Sequence, residues 1–273
     1  MNNDTQFGFI GAGRMAGALA GGFCRTGLVD GSAIWASDPV DEARQEFCRT
    51  VSGAHAVDIN AEVVHRADVI VLSVKPQQMD HVMESIRESV TVKKLFLSIA
   101  AGVPLRRLVS GLATDRCIRI MPNTPCLVGH CAAAYSAAAG ATAEDQQLVR
   151  QLLESVGVAI PLEETLLDAV TGMSGSGPAF VYQLIGALRD GGVHMGLPPE
   201  AAARLAAQTV LGAAEMVIRT GRDPADLTND VTSPDGTTLA GLQVLEKGNL
   251  RTTLMTAVEA ATKRSIELGK EPA

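Results

Sequence analysis

A short glycine-rich segment near the start of the chain has the spacing of a loop that binds phosphate groups. Residues 11–16 read GAGRMA, and they lie between the apolar run Phe7–Ile10 and a helical pattern. In this spacing Gly11 allows a tight turn, Gly13 lets the backbone approach an anion, and Ala16 lets the helix pack closely on its strand. The N–H groups at the start of the helix then bind the anion. The segment predicts a pyrophosphate site for a dinucleotide; a turn that only packs tightly is the alternative.

An acidic residue, Asp38, follows the second predicted strand. At this position a carboxylate accepts hydrogen bonds from ribose hydroxyls and repels a 2′-phosphate. No arginine follows the strand directly, although Arg44 lies on the next predicted helix and could reach the same place. The pattern favours NADH over NADPH as the cofactor.

The thiols and imidazoles of the chain lack the spacing of a metal site. The five cysteines form no CxxC pair, and the five histidines have no ligand spacing with each other or with carboxylates. We expect no metal, and we expect the cysteines to be small buried apolar side chains in a reducing compartment. A reactive thiol is the alternative at Cys126 or Cys131, which flank a predicted loop.

The elements that must position these residues alternate between strands and helices in the first part of the chain. The predicted strands are Phe7–Ile10, Ala33–Ser37, Val69–Val74, Leu95–Ile99, Cys117–Ile120, Ala132–Ser136 and Val158–Ile160. The predicted helices are Met15–Thr26, Val40–Arg49, Met79–Ser89, Leu105–Leu112 and Ala143–Ser155. The alternation predicts an α/β fold over residues 1–162, a Rossmann-type, doubly wound and mostly parallel sheet with helices on both faces.

The rest of the chain, residues 163–273, shows helical patterns alone. The predicted helices are Asp168–Met173, Pro178–Met195, Pro199–Thr220, Pro234–Lys247 and Arg251–Leu268. The helix at 199–220 has one apolar stripe, and Leu211 and Met216 face elsewhere. A small all-helical domain offers too few neighbours to bury two faces of one helix, so we expect an intertwined dimer. A compact monomeric bundle is the alternative.

The composition excludes several classes of function. The 273 residues carry a net charge of −7, whereas a nucleic-acid-binding surface is basic. We find no apolar run of the roughly 20 residues that span a bilayer. The segment Met1–Gln6 is polar and has no basic region, unlike a secretion signal. We therefore expect a cytoplasmic protein that binds neither membranes nor nucleic acids.

Six short motifs, in this order, resemble those of the pyrroline-5-carboxylate reductase family. They are residues 11–16 (GAGRMA), 74–77 (VKPQ), 98–102 (SIAAG), 121–125 (MPNTP), 174–180 (SGSGPAF) and 233–238 (SPDGTT). The resemblance covers nearly the whole chain. It implies reduction of 1-pyrroline-5-carboxylate to L-proline with NAD(P)H, the last step of proline synthesis. It also implies a Rossmann domain and a helical dimerisation domain, often assembled into decamers.

The chain departs from the family pattern at two positions. Asp235 stands where the family usually has the first glycine of SPGGTT, and Cys131 stands where it tends to have glycine. Asp235 matters more, because the resemblance places the substrate carboxylate at this segment. An acid that pointed inward would repel that carboxylate, so we expect Asp235 to face solvent.

The segment 233–238 has the composition of an anion site at the start of a helix. We predict that Ser233 caps the helix, that Pro234 is in its first turn, and that the backbone at Gly236 and Thr237 binds the carboxylate. An ordinary capped helix is the alternative. Thr238 is predicted to hydrogen-bond the ring nitrogen and relay a proton. A protonated imine is already electrophilic, so proximity and orientation can supply much of the rate.

The phosphate loop and the resemblance together assign residues to the cofactor. Asn60 matches a family position near the adenosine, Lys75 lies at a strand end, and Asn123 is expected at the nicotinamide end. A catalytic cation is the alternative for Lys75. The predicted cofactor-binding residues are Ile10, Gly11, Ala12, Gly13, Arg14, Met15, Asp38, Asn60, Val74, Lys75, Pro76, Ala100, Ala101 and Asn123.

Three other functions fit parts of the same pattern. A β-hydroxyacid-type dehydrogenase has the same layout but needs a lysine about one turn after the glycine-rich helix entry, where residues 179–182 read AFVY. A non-catalytic NAD(P)-sensing regulator is favoured if Asp235 blocks the substrate turn. A reductase of a six-membered cyclic imino acid is the third. The glycines of residues 174–178 either admit a neighbouring subunit's substrate turn or tighten helix packing.

Overall fold

The computed structural model describes residues 4–270, and in this part of the chain the strands form one eight-stranded sheet. The strands are β1 (Phe7–Ile10), β2 (Ile34–Ser37), β3 (His55–Val57), β4 (Val69–Leu72), β5 (Leu95–Ser98), β6 (Cys117–Met121), β7 (Cys131–Ala137) and β8 (Gly157–Pro161). They lie in the order β3-β2-β1-β4-β5-β6-β7-β8. Every neighbouring pair is parallel except β6 and β7. The predicted Rossmann-type, mostly parallel sheet is confirmed.

Helices cover both faces of this sheet. They are α1 (Arg14–Arg25), α2 (Asp41–Thr50), α3 (Asn60–Arg66), α4 (Met79–Ile86), α5 (Leu105–Leu112) and α6 (Ala143–Glu154). One apolar core joins Phe9 of β1 with α1, α2 and α6, and a second joins Ile70 of β4 with α3, α4 and α5. Burial on both faces explains why β1 and β4 read as unbroken apolar runs.

The strand β3 is absent from the sequence prediction. It has three residues and lies at the edge of the sheet, so it is too short to show the alternation that marks a strand. The ring of His55 stacks on Trp35 at 4.3 Å between centroids, and the guanidinium of Arg66 lies 4.2 Å from the Trp35 ring. These contacts join the side chains of β2, β3 and α3 at this end of the sheet.

The second half of the chain is helical, as predicted. A short helix α7 (Leu167–Val170) continues into a π-helical turn, Thr171–Gly175. The helices α8 (Gly177–His194), α9 (Pro199–Thr220), α10 (Pro224–Asp230), α11 (Thr237–Lys247) and α12 (Leu250–Leu268) follow. The sequence prediction missed α10, which is only seven residues long.

Contacts between residues divide the chain into two compact units. Residues Gly177–Val258 form one of them, which we call the helical unit. The chain up to Ser176, with the segment from Glu259 onward, forms the other, which we call the sheet unit. In the helical unit α8 and α9 pack through small residues, since a Cβ added at Gly192 would lie 3.4 Å from the Cβ of Ala202. Ala202 and Ala206 are the buried residues of α9.

The helical unit exposes many large apolar side chains. Ile218 of α9 is 78% exposed, and Val244 and Met255 are exposed on α11 and α12. By length and composition alone α9 is apolar enough to cross a membrane, so the expectation that no segment reaches this length is wrong. The helix nevertheless carries charged residues near both ends, among them Glu200 and Arg219. Exposed apolar surface on this scale is typical of a face that another protein surface covers.

Candidate functional site

The predicted phosphate loop connects β1 to α1 and is held between the ends of two other strands. Gly11 has φ +96°, and a Cβ at this residue would lie 2.9 Å from the carbonyl oxygen of Ser73. Its N–H donates to the carbonyl of Ser37 at 2.7 Å, and the Ser73 hydroxyl donates to the carbonyl of Gly11 at 2.7 Å. Glycine is therefore required here for both its conformation and its small size.

The sequence prediction did not identify the two serines, Ser37 and Ser73, that bind this loop. Ser37 is the last residue of β2 and Ser73 directly follows β4, so each is a polar residue at the end of a buried apolar run. That position is the signal that could have identified them, because parallel strands end at the same edge of the sheet.

The backbone at the start of α1 is open to a ligand. Gly13 is the N-cap residue, no side chain caps the helix, and a Cβ at Gly13 would meet no atom within 4 Å. Beside it a groove of about 450 Å³ lies between α1 and α2, with Arg14, Glu46 and Thr50 in its lining. An uncapped helix start with free space above its glycine fits the pyrophosphate of a dinucleotide.

Asp38 connects the phosphate loop to the end of β2. Its Oδ2 accepts from the N–H of Ala12 at 3.0 Å, and its Oδ1 accepts from the N–H of Val40 at 2.9 Å. A carboxylate has about four lone-pair sites, so acceptor capacity remains for a ribose. Arg44 donates to the carbonyl of Asp38 at 2.6 Å and pairs with Asp41 at 2.9 Å. The Arg44 guanidinium thus lies beside Asp38.

Asn60 begins α3 and links two elements near the same edge. Its Oδ1 accepts from the hydroxyl of Ser37 at 2.8 Å, and its Nδ2 donates to the hydroxyl of Ser85 at 3.2 Å. The side chain therefore has a fixed orientation next to the end of β2.

The other predicted cofactor residues follow β4, β5 and β6. Val74 and Pro76 are half-buried, whereas Lys75 is exposed and precedes a 3₁₀ turn, Pro76–Gln78. Ala100 is buried and Ala101 half-buried after β5. Because β1, β4, β5 and β6 are parallel neighbours, these segments lie at the same edge of the sheet as the phosphate loop. This edge is where open α/β sheets bind their ligands.

Asn123 follows β6 and is only 6% exposed. Its Oδ1 accepts from the N–H of Ala132 at 2.9 Å, and its Nδ2 donates to the carbonyl of Ser174 at 3.0 Å. Both ends of the amide thus bind protein groups. A Cβ added at Gly175 would collide with the Cε of Met121, whereas one at Gly177 would meet no atom within 4 Å. Gly175 therefore serves close packing, and Gly177 lies in open space.

The segment 233–238 forms a turn before its helix. Gly236 donates its N–H to the carbonyl of Ser233 at 3.0 Å, and Asp235 has φ +57°. These are features of a type II turn, with Pro234 at its second position. The predicted helix start at Pro234 is wrong, and so is the predicted cap by Ser233, because the positive φ of Asp235 is incompatible with a helix. Helix α11 begins at Thr237 with Gly236 as its N-cap residue.

The turn leaves the start of α11 without a side-chain cap. A Cβ at Gly236 would collide with the hydroxyl of Ser233, so glycine is needed beneath that side chain. Thr237 is exposed, Thr238 is half-buried, and Asp235 is exposed, as we expect for this acid. Free N–H groups next to two threonine hydroxyls can bind a carboxylate.

The cysteines are buried or half-buried, in agreement with the sequence prediction. Burial, with the nearby charge of Asp115, raises the pKa of Cys117 to about 12. A hydrogen bond between the Cys126 and Cys131 thiols raises the pKa of Cys126 and lowers that of Cys131. Within residues 4–270 no group of three or more His, Cys, Asp or Glu side chains could hold a metal ion.

Comparison with protein families assigns both halves of the chain. Residues 164–268 match the model described as pyrroline-5-carboxylate reductase dimerisation. Residues 6–102 match the model described as NADP oxidoreductase, coenzyme F420-dependent. The match to the dimerisation family includes the helices whose apolar side chains are exposed. The assembly of a homo-oligomer explains this exposed apolar surface.

Individual relatives match nearly from end to end. The pyrroline-5-carboxylate reductase of Glycine max is 48% identical over 96% of this chain and 95% of its own length. That of Methanosarcina acetivorans is 41% identical over 98% of this chain and 99% of its own. The crystal structure of Plasmodium falciparum pyrroline carboxylate reductase with NADP bound is 31% identical, with a TM-score of 0.89 over 98% of this chain and 99% of that one. The chain belongs to the pyrroline-5-carboxylate reductase family.

Proposed function

We propose that this protein reduces 1-pyrroline-5-carboxylate to L-proline with NAD(P)H, the final step of proline synthesis. The observation that carries the proposal is the similarity to pyrroline-5-carboxylate reductases over almost the whole chain, which includes both candidate ligand sites. The uncapped start of α1 suits a pyrophosphate, and the uncapped start of α11 suits a carboxylate.

The chemistry divides between the cofactor and the chain. When bound, the nicotinamide supplies a hydride to the imine carbon, and the ring nitrogen with its proton becomes a secondary amine. The chain holds the pyrophosphate on the backbone near Gly13 and holds the substrate carboxylate on the first N–H groups of α11, from Thr237 onward. These contacts orient the imine and exclude water, and orientation of this kind is worth up to roughly 7–11 kcal/mol. The predicted contact from the Gly236 N–H is wrong, because that N–H donates to the carbonyl of Ser233 within the turn.

Thr238 is the one side chain to which we assign a direct role in the reaction. Its hydroxyl hydrogen-bonds the ring nitrogen and steadies the developing amine, and it relays a proton from solvent to that nitrogen when the imine arrives unprotonated. The motifs contain no Asp/His pair, and a protonated imine needs no further acid. Ser233 belongs to the same substrate turn, where its hydroxyl lies over Gly236.

Asp38 bears on the choice between NADH and NADPH. We propose that NADH is preferred, because a 2′-phosphate would approach the Asp38 carboxylate. Arg44 is next to it, but its charge is paired with Asp41. Measurement of kcat/KM with both cofactors, in the wild type and in Asp38→Ser, tests this preference. We expect the variant to gain activity with NADPH relative to NADH, and a wild-type preference for NADPH contradicts the proposal.

The assembly follows from the helical half of the chain. We propose a cofactor domain over residues 1–162 and a dimerisation and substrate domain over residues 163–273. The dimer is intertwined through the second of these and can assemble further into a decamer. The protein is cytoplasmic and acts on a small imino acid, without membrane or nucleic-acid partners.

The test of this function is an assay of NAD(P)H oxidation with purified protein. The substrates are pyrroline-5-carboxylate and its six-membered homologue, and the variants are Thr238→Ala and Thr238→Ser. We expect turnover of the five-membered imine, loss of about 10²-fold in kcat for Thr238→Ala, and partial recovery in Thr238→Ser. Full activity of Thr238→Ala contradicts the role of the hydroxyl. Cofactor binding without turnover of either imine would instead support the regulator.

A further inference from the structure

We propose that Cys126 and Cys131 form a redox-sensitive thiol pair, that hydrogen peroxide converts the pair to a disulfide, and that this disulfide weakens binding of the dinucleotide. The pair lies entirely within the sheet unit. Its effect on the cofactor rests on the proposed function, because it requires a dinucleotide at the start of α1.

A tight turn brings the two cysteines to one backbone carbonyl. The N–H of Cys126 donates to the carbonyl of Asn123 at 3.2 Å, and the thiol of Cys131 donates to the same carbonyl at 3.9 Å. Between them the chain reverses at Gly129, which has φ +79° and donates its N–H to the carbonyl of Cys126 at 3.2 Å. A hydrogen bond also joins the two thiols. The sulfurs are therefore neighbours, as a disulfide requires.

The two thiols differ in how readily they lose a proton. The hydrogen bond from the Cys126 thiol outweighs burial and lowers the pKa of Cys131. The same hydrogen bond raises the pKa of Cys126, and burial raises the pKa of the other three cysteines. Cys131 is thus the cysteine of this chain that forms a thiolate first, and the thiolate is the form that attacks an oxidant.

The segment between the two cysteines lies on the surface. Cys126 and Cys131 are themselves buried, whereas residues 127–130 are all exposed. An exposed turn opens locally at a smaller cost in free energy than global unfolding. A molecule as small as hydrogen peroxide therefore reaches the sulfurs while the sheet unit stays folded.

The oxidation proceeds in two steps. The Cys131 thiolate attacks a peroxide oxygen, so that an S–O bond forms, the O–O bond breaks, and the leaving hydroxide takes a proton from solvent to become water. The Cys126 sulfur then attacks the Cys131 sulfur; the S–S bond forms, the S–O bond breaks, and the leaving hydroxide takes the Cys126 proton to become a second water. The two sulfurs lose the two electrons that peroxide gains. Dithiothreitol reverses the reaction by thiol–disulfide exchange.

The 3₁₀ turn that contains Cys126, Thr124–Val128, packs against α1. The Cys126 sulfur lies 3.8 Å from the Sδ of Met15, at the start of that helix. The carbonyl of Leu127 accepts from the Nη2 of Arg25, at its end, at 3.1 Å. The turn therefore contacts both ends of the helix that carries the phosphate site.

A disulfide changes the groove beside this helix. Leu127 and Gly13 line the same groove of about 450 Å³. Bonded sulfurs lie about 2 Å apart, closer than two thiols in contact. Formation of the bond therefore pulls Cys126 toward β7 and away from Met15. Leu127 moves with it, so the groove loses part of its wall and the dinucleotide binds less tightly.

Peptide mapping tests the disulfide. The protein is reduced, desalted, treated with hydrogen peroxide, unfolded in urea with iodoacetamide and digested with trypsin. Cleavage after Arg119 and Arg150 releases the pair in one peptide, residues 120–150, which contains no other cysteine. We expect this peptide to lose two hydrogens and to take up no iodoacetamide, while Cys24 and Cys48 are alkylated. Alkylation of the pair, or earlier oxidation of Cys24 or Cys48, contradicts the proposal.

Fluorescence titration with NADH and NADPH tests the effect on the cofactor. We expect peroxide to raise the Kd of the cofactor at least about 5-fold and dithiothreitol to restore it. Cys126→Ala and Cys131→Ala should keep the Kd of the reduced wild type after the same treatment, and Cys24→Ala, the matched control, should respond like the wild type. A rise in Kd that persists in Cys131→Ala and resists dithiothreitol would point to oxidation of Met15 and overturn the proposal. So would a disulfide that leaves the Kd unchanged.

The thiol pair and the proposed reaction can fail independently. If the disulfide forms and raises the cofactor Kd in a protein that reduces no cyclic imine, the thiol pair stands and the proposed function fails. If the protein reduces pyrroline-5-carboxylate but forms no disulfide with peroxide, the proposed function stands and the thiol pair fails.

Discussion

Within the described residues, three residues other than glycine have a positive backbone φ: Ala113, Asp235 and Asn249. Asp235 is the one in the proposed substrate turn, at the position of a type II turn that favours glycine. The sequence predicts the glycines of the phosphate loop correctly, because a strand, a glycine pair and a helix occur in the required order. The prediction that Ser233 caps the helix is wrong, because a proline after a serine suits both a helix start and a type II turn. Only the conformation of the next residue decides between them.

Replacement of Asp235 by glycine should stabilise the protein. A positive φ is unfavourable for aspartate because its Cβ approaches the backbone, whereas glycine has no Cβ. Asp235→Gly should therefore raise the free energy of unfolding by about 0.5–1 kcal/mol. Urea unfolding measures this gain, and Ala113→Gly, with φ 54°, is the matched control. Because Asp235 is exposed, KM for pyrroline-5-carboxylate should stay near that of the wild type. A much lower KM in Asp235→Gly would show that the acid hinders substrate binding.

At the scale of elements, the sequence predicts segments with a clear apolar pattern well, and it misses β3 and α10, which lack one. The strands β1, β5 and β6 and the helix α9 agree closely with their predicted ranges because they carry clear apolar patterns. Short edge elements depend on contacts that no local pattern contains. The start of α6 is stabilised both by a local motif and by a contact distant in sequence. Thr142 and Asp145 form a capping box, and Asp145 also pairs with Arg116.

The pair of Asp145 and Arg116 should make stability depend on pH. Burial raises the pKa of Asp145, but hydrogen bonds from Arg116 and from the backbone N–H of Thr142 outweigh it and hold the pKa below the ordinary 3.8. The pair therefore stabilises the fold fully above that pH, and the stabilisation disappears as the pH falls through the folded-state pKa. Asp145→Asn should lower the free energy of unfolding by about 2–3 kcal/mol near neutral pH.

Urea unfolding of the wild type and Asp145→Asn at pH 7 and pH 2.5 measures this dependence. The difference between the two proteins should shrink at the lower pH. Glu144→Gln, at the exposed acid next to Asp145, is the control and should have the smaller effect. A difference that is the same at both pH values would show that the charge of Asp145 contributes no stability.

At the scale of the whole molecule, the two units differ in how they bury apolar surface. The sheet unit has two cores on the faces of its sheet, whereas the helical unit exposes Leu211, Ile218 and Val244. The sequence predicts this need for a partner, because α9 is apolar on more than one side. It could not predict the anchoring of the chain by Arg119 and Asn123, because their partners lie about 50 residues away along the chain.

A charge on the apolar surface of α9 should disrupt the homo-oligomer. Leu211 is 49% exposed near the middle of the helix, and a glutamate there would bury a charge if the dimer formed. We expect Leu211→Glu to sediment as a smaller species than the wild type in analytical ultracentrifugation. Val92→Glu, at an 85% exposed residue of the sheet unit, is the control and should leave the assembly intact. An unchanged sedimentation coefficient of Leu211→Glu would place the interface elsewhere.

We propose that this chain transfers a hydride from a nicotinamide cofactor to a five-membered cyclic imine. The most direct measurement incubates the purified protein with pyrroline-5-carboxylate and NAD(P)H deuterated at both C4 positions, and analyses the product by mass spectrometry and NMR. We expect L-proline with one deuterium, bound to the carbon that was the imine carbon. Oxidation of the cofactor without deuterated proline, or no oxidation with either NADH or NADPH, would contradict it.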